Sequence, residues 1–406
     1  MKQELIFGAA YYDEYMPYDR LDKDVEMMKA AGINTVRIAE STWSTLEPRE
    51  GQYDFRHIDR VLERMEKNGI QVIIGTMTYA IPSWLAKKNP DILAVRKSGQ
   101  ARYGARQNMN IMNPVYRECA GRTVRELIRH VALCPCVIGY QIDNETKHYD
   151  AYNESIQAGF KQYLKERFQT VEALNRAFGF SYWSNSIADW DDLPDVRGTI
   201  NASYGCEYEK YLRMKVSEFL EEQADIVREY KREDQFLTHN FDFEWKKFGY
   251  AMSPDGYSYG VQPGCDHFLA SKAVDIAGTD IYHPTQDHLT GAEIAFCGDE
   301  IRSLKNDNYL VLETQAQAFK EWLPYEGQLR LHAYSHLASG AGGLMYWHWH
   351  SIHNSFETYW KGLLSHDMES NPTYEEAAVI GKEWKAYRKE LSGIKKEKQD
   401  CRSCEQ

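Results

Sequence analysis

Carboxylates close three apolar runs in this chain. Val137–Glu145 reads Val-Ile-Gly-Tyr-Gln-Ile-Asp-Asn-Glu, Tyr309–Gln315 reads Tyr-Leu-Val-Leu-Glu-Thr-Gln, and Val36–Glu40 reads Val-Arg-Ile-Ala-Glu. An apolar run that stops abruptly at polar residues is a buried parallel strand whose C-terminal end meets a surface. Burying Asp143, Asn144 and Glu145 without partners costs roughly several kcal/mol each, so something must compensate. A single carboxylate there is as well explained by a structural strand cap as by catalysis. Two on separate strands at one face, Glu145 and Glu313, are a different matter. Carboxyl groups about 5 Å apart can cleave a glycosidic bond with retention: one protonates the leaving oxygen, and the other attacks the anomeric carbon.

That chemistry requires a frame that brings distant strand ends together. Ile6–Ala10, Thr35–Ala39, Gln71–Thr78 and Val137–Asn144 read as strands. Between them, Asp19–Ala31 and Asp54–Asn68 carry apolar residues at helical spacing and close at Gly32 and Gly69. A third helix starts at Pro114 and runs to about Val131. Phe236–Asn240, Ile276–Tyr282, Tyr309–Thr314 and Gly343–Trp349 bring the strands to eight; Glu154–Arg167, Tyr208–Tyr230, Gln328–Ser339 and Glu375–Leu391 read as helices. Trp183–Arg197, Trp-rich and acidic, reads as an irregular insertion after strand four. Strand–helix alternation over this length predicts an α/β fold, a TIM (β/α)8 barrel with its site at the C-terminal strand ends.

Composition narrows the classes. A net charge of −12 argues against nucleic acid and anionic membranes as partners, because both demand clustered Lys and Arg. No apolar run approaches membrane-spanning length, and Met1–Gly8 has no signal-peptide h-region, so the expected compartment is the cytoplasm. The 28 Tyr and 10 Trp supply flat faces suited to sugar rings, though a core uses them equally well. The eight cysteines lack the grammar of paired CxxC motifs. Cys134-Pro135-Cys136 and Cys401-Arg-Ser-Cys404 are read as reduced thiols, with no metal and no cofactor expected. His348 and His350 point the same way on strand eight, but a third metal ligand is lacking, and packing at the site is the better reading.

Several stretches together are similar to clan A of the glycoside hydrolases, and within it to family 42, the β-galactosidases. They are Phe7–Tyr12, Trp43–Pro48, Gly51–Phe55, Pro82–Leu85, Ala105–Gln107, Gln141–Glu145, Val311–Glu313 and Glu357–Leu363, in order along nearly the whole chain. Trp43–Phe55 also resembles the family 35 β-galactosidases. The resemblance implies a retaining exo-β-galactosidase acting on terminal non-reducing β-D-galactose of an oligosaccharide or lactose-like galactoside. An α-L-arabinopyranosidase, a family 35-like β-galactosidase and an inactive truncated remnant are the alternatives. By the same resemblance Glu145 is the general acid/base, Glu313 the nucleophile, and Asn144 the partner of the sugar 2-hydroxyl. Arg37 is the cation that holds Glu313 ionised, while Arg106, Tyr282, Trp322 and Glu357 bind galactose, Trp322 as a platform and Glu357 as a hydroxyl acceptor.

Two departures from the family stand out. Many members carry zinc-binding cysteines after the acid/base and shortly beyond the position of Arg106; here Thr146–Tyr152 and Asn108–Asn110 contain none. The family also continues past its barrel into an α/β trimerisation domain and a small β-domain, and it is homotrimeric. The expectation is a barrel over 1–391 and a tail over 392–406 where a second domain would start, truncated or missing. The tail is neither β-branched nor apolar; deleting one base from a chosen back-translation of Lys398–Gln406 yields an apolar strand, so a one-base insertion stands beside a natural end or a cloning boundary.

Overall fold

Ile6–Ala10 and Tyr309–Gln315 are buried at every residue, so they need ladder partners on both edges and cover on both faces. A closed parallel barrel meets both demands. The computed structural model describes residues 5–149, 151–244, 260–283, 291–317, 323–358 and 360–396. In it β1 (Ile6–Ala10), β2 (Thr35–Ile38), β3 (Gln71–Gly75) and β4 (Val137–Gln141) are followed by β5 (Phe236–Thr238 with Asn240–Phe241), β6 (Gly278–Asp280), β7 (Tyr309–Gln315) and β8 (Ala341–Trp347). Neighbours pair in parallel, and β8 returns to β1 with Ile6 opposite Gly343 and Ala9 opposite Tyr346. β5 comprises two segments, Phe236–Thr238 and Asn240–Phe241, on either side of His239. The first segment pairs with β4 and the second with β6, so the ring closes through one broken strand. This is the expected TIM barrel.

Ile6, Ile73, Phe236, Leu310, Leu312 and Met345 pack together inside the ring. Room for Phe236 comes from β4: a Cβ on Gly139 would lie 2.7 Å from the Phe236 ring. Outside the ring pack α1 (Leu21–Ala30), α2 (Arg56–Asn68) and α3 (Pro114–Val131). α2 buries Ile58, Val61, Leu62 and Met65 at helical spacing and ends at Gly69, whose φ of 69° suits a residue without a Cβ. Each such burial contributes about 1.5–3 kcal/mol. α3 starts where Asn113 Oδ1 accepts from the Val115 and Tyr116 N–H groups, with Pro114 in its first turn.

After β4 the chain leaves the barrel for α4 (Glu154–Phe168), α5 (Val171–Phe178), short turns at Tyr182–Ser184 and Trp190–Asp192, and then α6 (Ala202–Tyr230). These elements share a separate core in which Phe160 touches the rings of Tyr204, Tyr208 and Tyr211. Much of the chain's tyrosine is therefore structural. α7 (Ala292–Lys305), α8 (Gln328–Ala338) and α9 (Pro372–Ala386) complete the outer layer.

Sequence patterning missed α5 and α7 and started α6 six residues late. On α7 the buried face mixes Glu293, Ile294, Cys297, Gly298 and Ile301, which dilutes its apolar period. Patterning also ran several strands too far. Gln71–Thr78, Val137–Asn144, Ile276–Tyr282 and Gly343–Trp349 extend beyond the observed ladders: Thr76, Ile142, Ile281 and Trp349 stay buried and each keep a backbone bond to a neighbouring strand, but the regular ladder ends before them, and hydrophobicity reports burial alone. Residues 392–396 of the expected tail follow a last helical turn at Arg388–Leu391; 397–406 lie outside the described residues. Among the described residues no helix is long and apolar enough to cross a membrane.

Candidate active site

The C-terminal end of β4 is built as a tight, side-chain-satisfied turn. Asp143 (φ 50°) and Glu145 (φ 43°) both occupy the left-handed region, which costs free energy for residues other than glycine. Neighbouring strands hold them there. The Asp143 N–H donates to Thr76 Oγ1 at 2.6 Å, beyond β3, and the Glu145 N–H donates to Asn240 Oδ1 at 3.0 Å, in β5. Gln107 Nε2 donates to the Asn144 carbonyl at 3.0 Å. The Asp143 carboxylate accepts from the Thr78 and Thr146 hydroxyls.

Asn240 sets the orientation of Asn144. With its Oδ1 committed to the Glu145 N–H, its Nδ2 donates to Asn144 Oδ1 at 2.9 Å and to Asp280 Oδ2 at 2.7 Å. The Asn144 oxygen thus faces the protein, and its amide NH2 is left for a ligand. His239 braces the same turn: its Nδ1 meets the Ile142 carbonyl at 2.6 Å and its Nε2 accepts from the Thr146 N–H at 3.3 Å. Burial lowers the His239 pKa to about 4, which keeps the ring neutral and suits one donor and one acceptor.

Glu313, near the end of β7, is held by two donors. Arg37 Nη2 donates to its Oε1, and the Tyr282 hydroxyl donates to its Oε2 at 2.7 Å. Arg37 is fully buried; its Nη1 donates to Gln141 Oε1 at 2.8 Å, and its Nε lies 3.0 Å from Glu40 Oε1. Tyr12 donates to that same Glu40 oxygen. On the other side, Arg106 Nη2 donates to Glu145 Oε2 at 2.6 Å from above the Tyr79 ring.

One carboxylate oxygen each of Glu145, Asp280 and Glu313 lie within 4.8 Å of one another. So close a pair falls short of the roughly 6.5–9.5 Å of inverting glycosidases and is compatible with the close pair of retaining ones. Arg37 and Arg106 place two positive charges among the three carboxyls, which weakens any case for a metal ion there.

Electrostatics separate the carboxyls. Burial pushes Glu313 up to about 7, against the pull of Arg37 and with the Glu145 charge adding to the rise. Glu145 feels the same burial, but Arg106 and Lys147 outweigh it and hold its carboxyl below the usual value. From the sequence, Arg37 was expected to keep Glu313 ionised; it does donate to Glu313, but burial is the larger effect on that carboxyl. Burial and the charges of both glutamates drive Asp280 well above its ordinary range.

The structure thus brings together Glu145, Glu313, Asn144, Arg37, Arg106 and Tyr282. Glu357 is half-buried and close enough that Arg106 and Glu145 act on its charge, after burial has raised its pKa. The Tyr282 ring lies 5.1 Å from that of Trp360, in a cluster with Tyr12 and Trp347. Trp322 lies outside the described residues. His348 and His350 are buried with ring centroids 5.1 Å apart, and among the described residues they belong to no group of three metal donors. After Glu145, Lys147 pairs with Asp242.

Sequence reasoning missed Asn240, His239, Asp280 and Gln107. The polar-strand-end signal was present in Thr238-His239-Asn240 and Asp280 but was applied only to strands two, four and seven. No such signal existed for Gln107, which sits in a loop with φ 57°.

The family model described as beta-galactosidase, for glycoside hydrolase family 42, matches residues 10–387. The β-galactosidase BgaA of Clostridium cellulovorans is 27% identical over 96% of this chain and 58% of its own length. The β-galactosidase YesZ of Bacillus licheniformis is 29% identical over 92% and 55%. The crystal structure of the β-galactosidase from Rahnella sp. R3 is 27% identical, with a TM-score of 0.86 over 96% of this chain and 57% of that one. The chain therefore spans less than three fifths of the length of each relative.

Proposed function

The chain belongs to the glycoside hydrolase family 42 β-galactosidases, and on that premise we propose that its barrel releases terminal non-reducing β-D-galactose with retention of configuration. One observation carries the reading: carboxyl oxygens of Glu145 and Glu313 lie within 4.8 Å, and each group is bound by its own arginine.

Glu145 is the acid/base and Glu313 the nucleophile. In the ligand-free site Arg106 draws negative charge to Glu145, and Glu313 is the easier group to protonate. A galactosyl ring whose hydroxyls accept from Arg106 pulls that cation away. Glu145, now buried without its counter-charge, takes up the proton, and Glu313 keeps the charge under its bonds from Arg37 and Tyr282. Glu145 then protonates the glycosidic oxygen as Glu313 attacks the anomeric carbon, and the C–O bond to the aglycone breaks. In the second half Glu145 accepts a proton from water, whose oxygen attacks the same carbon and frees Glu313. The Asn144 NH2 donates to the sugar 2-hydroxyl, Glu357 accepts from hydroxyls, and Trp322 supplies a platform. Oligosaccharides or lactose-like galactosides are the substrates proposed. The cytoplasm is the compartment proposed, supported by six cysteines that stand as free thiols.

The test is trapping with an activated 2-deoxy-2-fluoro-galactoside followed by peptide mass mapping. The expected result is one fluorogalactosyl group on Glu313, together with turnover of an aryl β-galactoside by the untreated protein. A label on Glu145, or no label and no turnover, overturns the reading.

A further inference from the structure

The barrel face opposite the carboxyl site carries a cluster that the hydrolytic chemistry does not use. Cys134 and Cys136 sit in the turn from α3 to β4, and Glu66 sits in the last turn of α2. The two Sγ atoms are 3.5 Å apart, and Glu66 Oε2 is 3.7 Å from Cys134 Sγ. Donor atoms of all three residues lie within 4.8 Å of one another.

The S···S spacing and the Cys134–Glu66 spacing are close to the edges of a tetrahedron around zinc. With Zn–S near 2.3 Å and Zn–O near 2.1 Å, a tetrahedral site has S···S edges of about 3.8 Å and S···O edges of about 3.6 Å. The turn is clamped before any ion arrives. The Cys134 N–H donates to Val131 O at 3.0 Å, and the Val137 N–H donates to Cys134 O at 3.1 Å. Arg232 donates to the carbonyls of Ala132, Cys134 and Val137 at 2.6–3.0 Å, so its charge is directed at backbone oxygens. Among the described residues no Lys, Arg or His pairs with Glu66, and the C-terminal carbonyls of α2 add negative potential beside it.

We propose that Cys134, Cys136 and Glu66 form a three-ligand site for a thiophilic divalent cation of the zinc type, stapling α2 to the α3–β4 turn. Each thiol gives up its proton as its sulfur binds, and the carboxylate binds as it stands. Water takes the fourth position on the half-exposed Cys134 side. The expectation of no metal, drawn from cysteine spacing, is revised here, because the third ligand comes from a helix about 70 residues earlier.

Cobalt is the probe. The full chain, reduced and stripped of metal, is titrated with Co2+ while thiolate-to-cobalt charge transfer is followed in the near ultraviolet. The expected result is one equivalent bound, displaced by Zn2+, with the band abolished in C134S and in C136S. E66Q, a change at an exposed position, should keep the band and weaken binding about ten-fold. A C401S/C404S double variant controls for the second cysteine pair and should bind as the parent does. Absence of the band, its survival in C134S/C136S, or its loss in C401S/C404S overturns the proposal. Should the serine variants fail to fold, an unchanged affinity in E66Q overturns it alone.

Discussion

Glu145 and Glu313 are the same residue type at the same barrel face, yet the chain treats them differently. Glu313 lies within β7, and its two donors are Arg37, buried on β2, and Tyr282, two residues past the end of β6. Glu145 lies past the end of its strand, in a left-handed turn, and its cation arrives from the half-exposed Arg106 on a loop. A nucleophile benefits from fixed geometry, whereas an acid/base has to change protonation state twice per cycle. A buried Arg37 at Glu313 and an exposed Arg106 at Glu145 fit the roles proposed for the two glutamates.

The sharpest way to break this comparison is to delete each carboxyl. Glu313→Ala should lower aryl β-galactoside turnover by at least about 1,000-fold, and added azide should yield the inverted galactosyl azide. Glu145→Ala should be hit less hard on substrates with good leaving groups, and azide should yield the retained product. Products of the opposite configuration, read by NMR, would exchange the two roles.

Asn240→Ala tests the support beneath Glu145. It removes the acceptor for the Glu145 N–H and the donor that orients Asn144. A fall in kcat of about 100-fold is expected, equivalent to roughly 2–3 kcal/mol. Near-parental kcat with only a raised KM would mean that the turn does not depend on this amide.

Arg106→Gln sharpens the contrast between the two cations. Without the guanidinium, Glu145 titrates higher and Glu313 correspondingly lower in the free protein. The pH profile of kcat/KM should therefore move its basic limb to higher pH, with KM raised about ten-fold. An unmoved profile would separate Arg106 from the proton balance.

The smallest effect is on stability. Glu313 has a folded pKa of about 7, above the ordinary carboxyl value, so the folded state holds its proton more tightly than the unfolded state. That contribution is fully present below about pH 4.5 and is lost as pH rises through 7. Glu313→Gln cannot lose it. Its stability relative to the parent should therefore rise between pH 5 and pH 8 by on the order of 1–3 kcal/mol, measured by denaturant unfolding. A flat difference would place the proton elsewhere.

Periodicity was a reliable guide wherever one face of an element is apolar and the other wet, as along α2 or α3. It failed on α7, where Glu293 and Gly298 interrupt the buried face, and at the strand ends, where residues stay buried after the regular ladder has ended. The two carboxyls proposed to be catalytic were legible because an acidic residue at the end of an apolar run is costly without a role. Their supports were harder to see, since Asn240, Gln107 and Thr76 are ordinary polar residues whose meaning lies in what they face.

The amino-acid sequence alone determined the alternation of strands and helices, and with it a barrel with Glu145, Glu313 and Arg37 at one end. Those are consequences of local hydrophobic pattern and of the cost of burying charge. Tertiary structure alone decided which cation serves which carboxyl, which way the Asn144 amide points, and that burial outweighs Arg37 at Glu313. It also decided that Glu66 stands beside Cys134 and Cys136. Each of these depends on distances between residues far apart in the chain, and electrostatic and hydrogen-bond energies change steeply over a few ångströms.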